Sequence, residues 1–335
     1  MGRSNRLVAI TAFAAVAAAS TVGLPGAEAR PASSSHTTSG TFTAPVYAGD
    51  FPDPSVVTVG GTYWAYATGS GGSNLQVMSS SDLHTWSAPT DPLPTLPSWA
   101  SAGSTWAPGV AVLGGQYVLY YTVHDTGLKM QCLSVATSST PQGPFSDKSS
   151  GPLECQTADG GSIDPNPYVD PGTGAAYLVW KSDDNALGQR THLWAEQLAP
   201  GGLAFAAGTA PSLLLTESAA WQAPSVEGPD LVRTATGYVL FYGANAWNSS
   251  SSGIGYATSP SLLGAYTNQS VKGPWVGSTG AAAGPQGPAV FTDATGATRM
   301  AFAAWDGTVG YANGGVRSLW VGTLGFSRSG VPQLG

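Results

Sequence analysis

Charge is scarce in this chain. Asp, Glu, Lys and Arg make up 9% of its 335 residues, against about 25% in an average soluble protein. Only 12 of them are basic and 19 are acidic, a net charge of −7. No basic face can be built from that set, which argues against nucleic acid and anionic membrane surfaces as partners. Histidine is limited to His36, His84, His124 and His192, scattered without metal-ligand spacing, so no metal site is expected from them. Cysteine is limited to Cys132 and Cys155. Long apolar runs are lacking too. The longest, Leu7 to Val22, is too short to span a bilayer comfortably. A coiled coil needs about half of its residues to be Ala, Glu, Lys, Leu or Arg, more than so uncharged a chain supplies.

What is present points the other way. There are 45 Gly and 25 Pro, with 11 Trp, 13 Tyr and 9 Phe. Aromatics in that number exclude disorder for most of the chain. Together with Gly and Pro they read as many short strands joined by tight turns. Aromatics with few charges also suit a neutral ligand such as a sugar.

The N-terminus carries an export pattern. Arg3 and Arg6 precede the apolar stretch, and Ala27-Glu28-Ala29 offers a small-residue cleavage site before Arg30. Residues 1–29 are expected to be a signal peptide, residues 30–44 a Ser/Thr/Pro/Ala-rich leader, and residues 45–335 one domain. The protein is accordingly expected to be secreted and extracellular. Two cysteines in an exported chain fit one disulfide, Cys132 with Cys155.

From Val46 onward a pattern recurs five times: an apolar run, a turn containing Gly, then an aromatic run. The copies are Val56–Thr68, Val110–Thr122, Pro167–Trp180, Asp230–Gly243 and Ala289–Trp305. Each reads as a β-hairpin, and several second strands, such as Tyr117–Tyr121, are apolar throughout, as in strands buried on both faces. A weaker hairpin follows each: Leu75–Ser87, Cys132–Phe145, Leu193–Phe205, Ile254–Thr267 and Leu319–Gly330. Five repeats of four strands, none able to bury both faces alone, predict an all-β, five-bladed β-propeller of four-stranded antiparallel blades. A β-sandwich explains the strands but not five copies of one pattern.

With acids so few, their placement is informative. Asp53 precedes Pro54 ahead of the first hairpin, Asp164 precedes Pro165 ahead of the third, and Glu227 precedes Gly228-Pro229 ahead of the fourth. The three are read as equivalent positions, and in a propeller the innermost strands all begin at one end of the axis. The acids are therefore expected to converge there. Converging carboxylates suit glycoside hydrolysis, in which one donates a proton to the leaving oxygen and another activates water.

The motifs around these acids resemble those of glycoside hydrolase family 43. Asp50-Phe51-Pro52-Asp53-Pro54-Ser55 is similar to that family's opening motif, and Trp106-Ala107-Pro108 to the motif leading into its second blade. Ser162-Ile163-Asp164-Pro165 and Val226-Glu227-Gly228-Pro229 resemble the motifs carrying its other two acids. Val179-Trp180-Lys181-Ser182 and Phe241-Tyr242-Gly243-Ala244-Asn245 match further, closest to arabinofuranosidase-like members. The resemblance implies roles: Asp53 as general base, Glu227 as general acid, and Asp164 holding Glu227 and raising its pKa. It implies inversion, with the base and acid carboxyls about 6.5–9.5 Å apart. It places Phe51 and Trp106 as walls of the sugar pocket and Arg317, in Gly314-Gly315-Val316-Arg317, within reach of the sugar or paired with an acid.

The implied activity is an exo-acting α-L-arabinofuranosidase on arabinan or arabinoxylan, a monomer whose partner is plant cell-wall polysaccharide or oligosaccharide. β-Xylosidase, endo-arabinanase and a non-catalytic sugar-binding propeller are the alternatives. Many family members hold calcium or another ion on the channel axis beside a His of the last blade. The matching stretch here, Gly284-Pro285-Gln286-Gly287-Pro288, has no His, so no cofactor is expected.

Overall fold

The computed structural model describes residues 42–335. The expected signal peptide and the leader up to residue 41 lie outside the described residues. The described residues form five antiparallel sheets, the blades of a five-bladed propeller. Blade 1 holds strands Ser55–Val59, Thr62–Thr68 and Leu75–Ser80. Blade 2 holds Ala100–Leu113, Gln116–Asp125 and Met130–Ser138. Blade 3 holds Ser162–Val169, Ala176–Ser182, His192–Gln197 and Ser212–Thr216. Blade 4 holds Val226–Thr234, Gly237–Ala244, Gly253–Ser259 and Thr267–Asn268. Blade 5 holds Ala282–Thr292, Thr298–Asp306, Arg317–Phe326 and Pro332–Leu334.

Blades 1 and 2 therefore have three full strands, not the expected four. The outer edge of blade 1 is completed by one bridge, Val77 to Thr90, and that of blade 2 by two, Thr137 to Ser146 and Leu133 to Glu154. The proline-rich segment Asp91–Pro97 beside Thr90 lacks the free N–H groups a longer strand needs.

Local chemistry fixes the hairpins. Gly60-Gly61 and Gly114-Gly115 have φ of +56°, +84°, +59° and +78°. Each pair joins two directly paired strands, the two-residue turn whose twist matches the sheet and which needs positive φ at both positions. In blades 3 and 5 a longer turn is held by Asp170 and Asp293, whose Oδ1 atoms accept backbone N–H groups of Thr173 and Thr295.

The uniformly apolar second strands are explained by five separate cores, each lying between two neighbouring blades. In blade 2, Val118 and Tyr120 pack against Leu178 and Trp180 of blade 3, while Leu119 and Tyr121 pack with Tyr66 and Leu75 of blade 1. Burying each such side chain stabilises the fold by about 1.5–3 kcal/mol. Closure joins the chain's beginning to its last blade. Val46 N–H donates to Leu319 O at 2.9 Å, and Phe51 N–H to Arg317 O at 2.8 Å. Phe42 packs edge-on against Phe302, with centroids 5.1 Å apart. Residues 42–44, assigned to the leader from composition, thus run up to the propeller with Phe42 docked in it.

One irregularity repeats in every blade and builds the site. Each innermost strand carries one extra residue at an X-Pro pair. Trp106 pairs with Thr122 and Gly109 with Tyr120, three residues against two. The same offset separates Ile163–Lys181 from Asn166–Val179, Glu227–Gly243 from Asp230–Phe241, and Gln286–Ala303 from Ala289–Ala301. In blade 1, Thr68 N–H meets Pro52 O at 3.0 Å, two positions before Tyr66 pairs with Ser55. The bulged residues Asp53, Ala107, Asp164, Gly228 and Gly287 all have positive φ, between 44° and 61°. With their prolines they ring a constriction on the channel axis. Three of the five are not glycine, and left-handed backbone costs such residues on the order of 1–3 kcal/mol each.

Candidate active site

The bulges sort the carboxylates. Asp53 and Asp164 occupy the bulged position of blades 1 and 3, whereas Glu227 sits one residue earlier, level with Trp106, Ile163 and Gln286. Gly228, not Glu227, is the equivalent of Asp53 and Asp164. The sequence reading placed all three in register, which is corrected by one residue. Its cause is the glycine between Glu227 and Pro229. The convergence itself stands: Asp53, Asp164 and Glu227 all line one cavity of about 380 Å³.

Each acid has a distinct partner set. Asp53 Oδ1 accepts from Arg317 Nη2 at 2.9 Å, and its Oδ2 accepts from Thr68 Oγ1 at 2.7 Å. Thr68 is fixed in turn by accepting Ala107 N–H at 2.9 Å. Glu227 Oε2 accepts from Ser225 Oγ at 3.1 Å and lies 4.0 Å from Lys181 Nζ. Asp164 Oδ2 accepts Gly228 N–H at 2.9 Å, so it grips the peptide next to Glu227 and not the Glu227 carboxylate. Its own N–H donates to Thr122 Oγ1 at 3.0 Å.

Burial pushes Asp164 up to about 7, reinforced by the neighbouring Glu227 and opposed by Lys181. Burial also raises Glu227. The Lys181 cation works against that rise and the Asp53 charge works with it.

Arg317 is 5% exposed and pairs with Asp53 in the manner foreseen as one of its two roles. Its backbone N–H donates to Asp50 Oδ1 at 3.1 Å, and its guanidinium lies over the Trp247 ring at 5.8 Å. It lines the cavity as well, so it can meet both an acid and a bound molecule. Trp106 lines the cavity, half-buried. Phe51 does not. It is fully buried and packs edge-on against Tyr47, with centroids 5.9 Å apart, between blades 1 and 5. Its expected place as a pocket wall is taken by Trp247 and Tyr311, which sequence reasoning missed. Trp247 stacks on Trp305 and lies tilted against Tyr311, and Tyr311 Oη donates to Asp50 Oδ1 at 3.0 Å.

Also missed was Lys181 with its two partners. Lys181 is 1% exposed, and its Nζ meets Asp183 Oδ1 at 3.1 Å and Asn185 Oδ1 at 2.6 Å. All three line the cavity. A lysine inside the apolar strand Ala176–Ser182 was the available signal, since an unpaired lysine is almost never fully buried. Cys132 is bonded to Cys155, with Cα atoms 4.8 Å apart.

At the position where an axial ion would need an oxygen or nitrogen ligand, Gln286 is 1% exposed. Its amide nitrogen donates to Ala244 O at 3.3 Å and Asn245 O at 3.2 Å. Among the described residues no group of three or more His, Cys, Asp or Glu side chains is placed to hold a metal ion. The residues present do not fit such an ion, and no step below is routed through one.

The sequence pattern of the family described as Glycosyl hydrolases family 43 matches residues 42–329. The chain belongs to this family. It is a glycoside hydrolase, an enzyme that acts on glycosidic bonds. A probable arabinan endo-1,5-alpha-L-arabinosidase A of Aspergillus flavus is 28% identical over 290 residues, covering 78% of this chain and 84% of the relative. A beta-D-galactofuranosidase, xynD, of Aspergillus niger is 26% identical over 249 residues, 67% of this chain and 65% of its own. Among solved structures, an endo-1,4-beta-xylanase of Bacteroides thetaiotaomicron superposes with a TM-score of 0.73 at 25% identity, over 87% of this chain and 96% of its own. A thermostable family-43 glycoside hydrolase shares the fold at TM-score 0.76 and 21% identity, over 87% of this chain and 96% of its own. Relatives within the family thus carry names for action on arabinan, xylan and galactofuranosides.

Proposed function

We propose that the enzyme is an inverting, exo-acting α-L-arabinofuranosidase on arabinan or arabinoxylan. The observation that carries this is the cavity itself. All five blades contribute to its wall, and it holds Asp53 on a guanidinium and Glu227 with a raised pKa. A wall supplied from every side favours one terminal sugar over a chain lying across an open cleft.

In this reading Asp53 takes a proton from water as that water attacks the anomeric carbon. Arg317 and Thr68 orient the carboxylate so that one oxygen faces the water. Glu227 gives its proton to the departing glycosidic oxygen as the C–O bond breaks, and it can do so because burial keeps it protonated into a higher pH range. The sugar leaves with inverted configuration, Asp53 protonated and Glu227 ionised, and proton exchange with solvent restores both. Asp164 holds the Gly228 peptide and thereby aims Glu227. Trp106, Trp247 and Tyr311 give apolar walls for the sugar faces.

Endo-action on arabinan is the second reading, favoured by the name of the Aspergillus flavus relative. In either reading the substrate is a plant cell-wall polysaccharide or oligosaccharide outside the cell, where a secreted chain would meet it.

The test is sugar release from aryl α-L-arabinofuranoside, aryl β-xyloside, linear arabinan and arabinoxylan, with Glu227→Gln as the blank. Arabinose as the first and main product from arabinan is the expected result. Internal cleavage to mixed oligosaccharides overturns exo-action, and xylose alone overturns the arabinofuranoside reading.

A further inference from the structure

Beside the catalytic cavity lies a second one, of about 160 Å³. One wall is the loop Gly69–Asn74 of blade 1 and the other is Gly103 with Thr105 and Trp106 of blade 2. Among the described residues, Trp106 alone lines both cavities. The second cavity begins directly past the strand end at Thr68, the residue that orients Asp53. The two spaces are therefore neighbours divided by one indole.

We propose that this second cavity binds the sugar joined to the one held at Asp53 and Glu227. The inference rests on the arabinofuranosidase reading, under which that sugar is the leaving group. The lining points to a neutral polyhydroxy ligand.

No charged side chain lines the cavity, so neither an anion nor a cation is selected. Thr105 is 3% exposed and its hydroxyl has no hydrogen-bond partner in the protein. A buried hydroxyl left unpaired costs about 1–3 kcal/mol, a cost a ligand hydroxyl would offset. Three of the cavity's four glycines are not there to relieve crowding. A side chain at Gly71, Gly72 or Gly103 would meet nothing within 4 Å. Their φ values of +63°, +94° and +93° instead set the course of the two loops that wall the cavity, a conformation glycine adopts without strain. The two walls are tied together, Gly69 N–H donating to Thr105 O at 3.3 Å, which fixes the spacing between them. Trp106 then supplies an aromatic surface at the boundary, where two linked sugar rings would turn past it.

The experiment compares two substrates on three proteins. The substrates are α-1,5-linked arabinotriose, which reaches the second cavity, and α-L-arabinofuranosyl fluoride, whose leaving atom does not. The proteins are the wild type, Ser70→Phe, which fills the cavity from its loop, and Thr105→Val, which keeps the side-chain shape and removes the hydroxyl. For arabinotriose, kcat/KM is expected to fall at least about tenfold in S70F and roughly 3- to 10-fold in T105V, the worth of one neutral hydrogen bond. For the fluoride it is expected to change less than about twofold in both.

The Tm of T105V should not fall, because an orphan hydroxyl has been removed. Equal losses on the two substrates, or an unchanged arabinotriose rate in both variants, would overturn the proposal. Should S70F fail to fold, T105V decides alone. If the wild type acts on the fluoride but T105V and S70F handle arabinotriose normally, the subsite fails and the arabinofuranosidase reading survives. If the wild type acts on neither substrate, that reading fails and takes the subsite with it.

Discussion

The two ends of the central channel make an instructive pair. Both are cavities of similar size, about 380 Å³ at the catalytic end and about 410 Å³ at the other. They lie on either side of the ring of X-Pro bulges: the innermost strands of all five blades line the far end, and those of blades 2, 3 and 4 line the catalytic end beside Pro52 and Asp53. Residues up to and including the bulge face the catalytic end, and those following it, such as Asn166, Asp230 and Ala289, line the far end. Each end contains a carboxylate that burial pushes up to about 7, Asp164 in front and Asp230 behind. Their company differs. Asp164 has Glu227 and Lys181 for neighbours, with Asp53 on Arg317 across the cavity. Asp230 accepts Val290 N–H, and Arg233, which shares its cavity, is committed to Asp170 at 3.1 Å. A raised pKa is thus a property of the channel's dry interior. Chemistry needs the second carboxylate and the placed cations that only the front end has.

The largest effect should follow from removing the front-end proton donor. Glu227→Gln is expected to lower kcat on polysaccharide by roughly 10²- to 10⁴-fold, the usual worth of general acid catalysis. The Gln amide retains an acceptor for Ser225, so the melting temperature should stay close to wild type. Turnover within a few-fold of wild type would show that a raised carboxylate at the front end is no more functional than the one behind.

Lys181→Met probes the cation that distinguishes the ends. Lys181 holds the Glu227 pKa down, so its loss lets that pKa rise, and Glu227 stays protonated to higher pH. The alkaline limb of the kcat/KM profile should move upward. Breaking the buried pair with Asp183, whose side chain is 15% exposed, should also cost on the order of 3 kcal/mol of stability. An alkaline limb that stays in place, measured on folded K181M, would mean the lysine serves Asp183 and Asn185 alone.

How legible this was from sequence depends on whether the signal was local. The blades were readable because Gly-Gly turns and apolar second strands repeat, and both follow from short-range chemistry. Asp53, Asp164 and Glu227 were readable because proline marks the bulge that carries them to the axis. The one-residue offset of Glu227 was not, since it depends on which residue the extra turn absorbs, and that is settled only when the strands pair. Phe51 was misplaced for a related reason. It neighbours Asp53 in the chain, but its backbone pairs with Arg317 and turns its ring into the core between blades 1 and 5. Trp247, Tyr311, Asp183 and Asn185 reach the cavity on loops following inner strands of three different blades, a meeting set by closure of the ring and by no spacing in the chain. The single strong clue overlooked was Lys181, a charge in an otherwise apolar strand.

The smallest effect on activity, and the sharpest on the comparison, belongs to Asp230→Asn. Asp230 is 7% exposed, and its folded pKa of about 7 lies above the unfolded value of about 3.9. Between those values the folded state binds more protons than the unfolded state, so this residue's contribution lowers stability as pH rises from about 4 to 7 and levels off above. An asparagine has no such proton to lose and keeps an oxygen for Val290 N–H. The Tm of the variant relative to wild type should therefore climb across that pH window and then stay constant, while Asp164 contributes equally to both proteins and cancels. Activity on arabinan should be unchanged, because no group of the front cavity touches Asp230. A Tm difference independent of pH would mean that Asp230 is ionised throughout with its charge balanced. A large loss of activity would mean that the constriction of prolines transmits charge between the two ends, and that the channel works as one site and not as two.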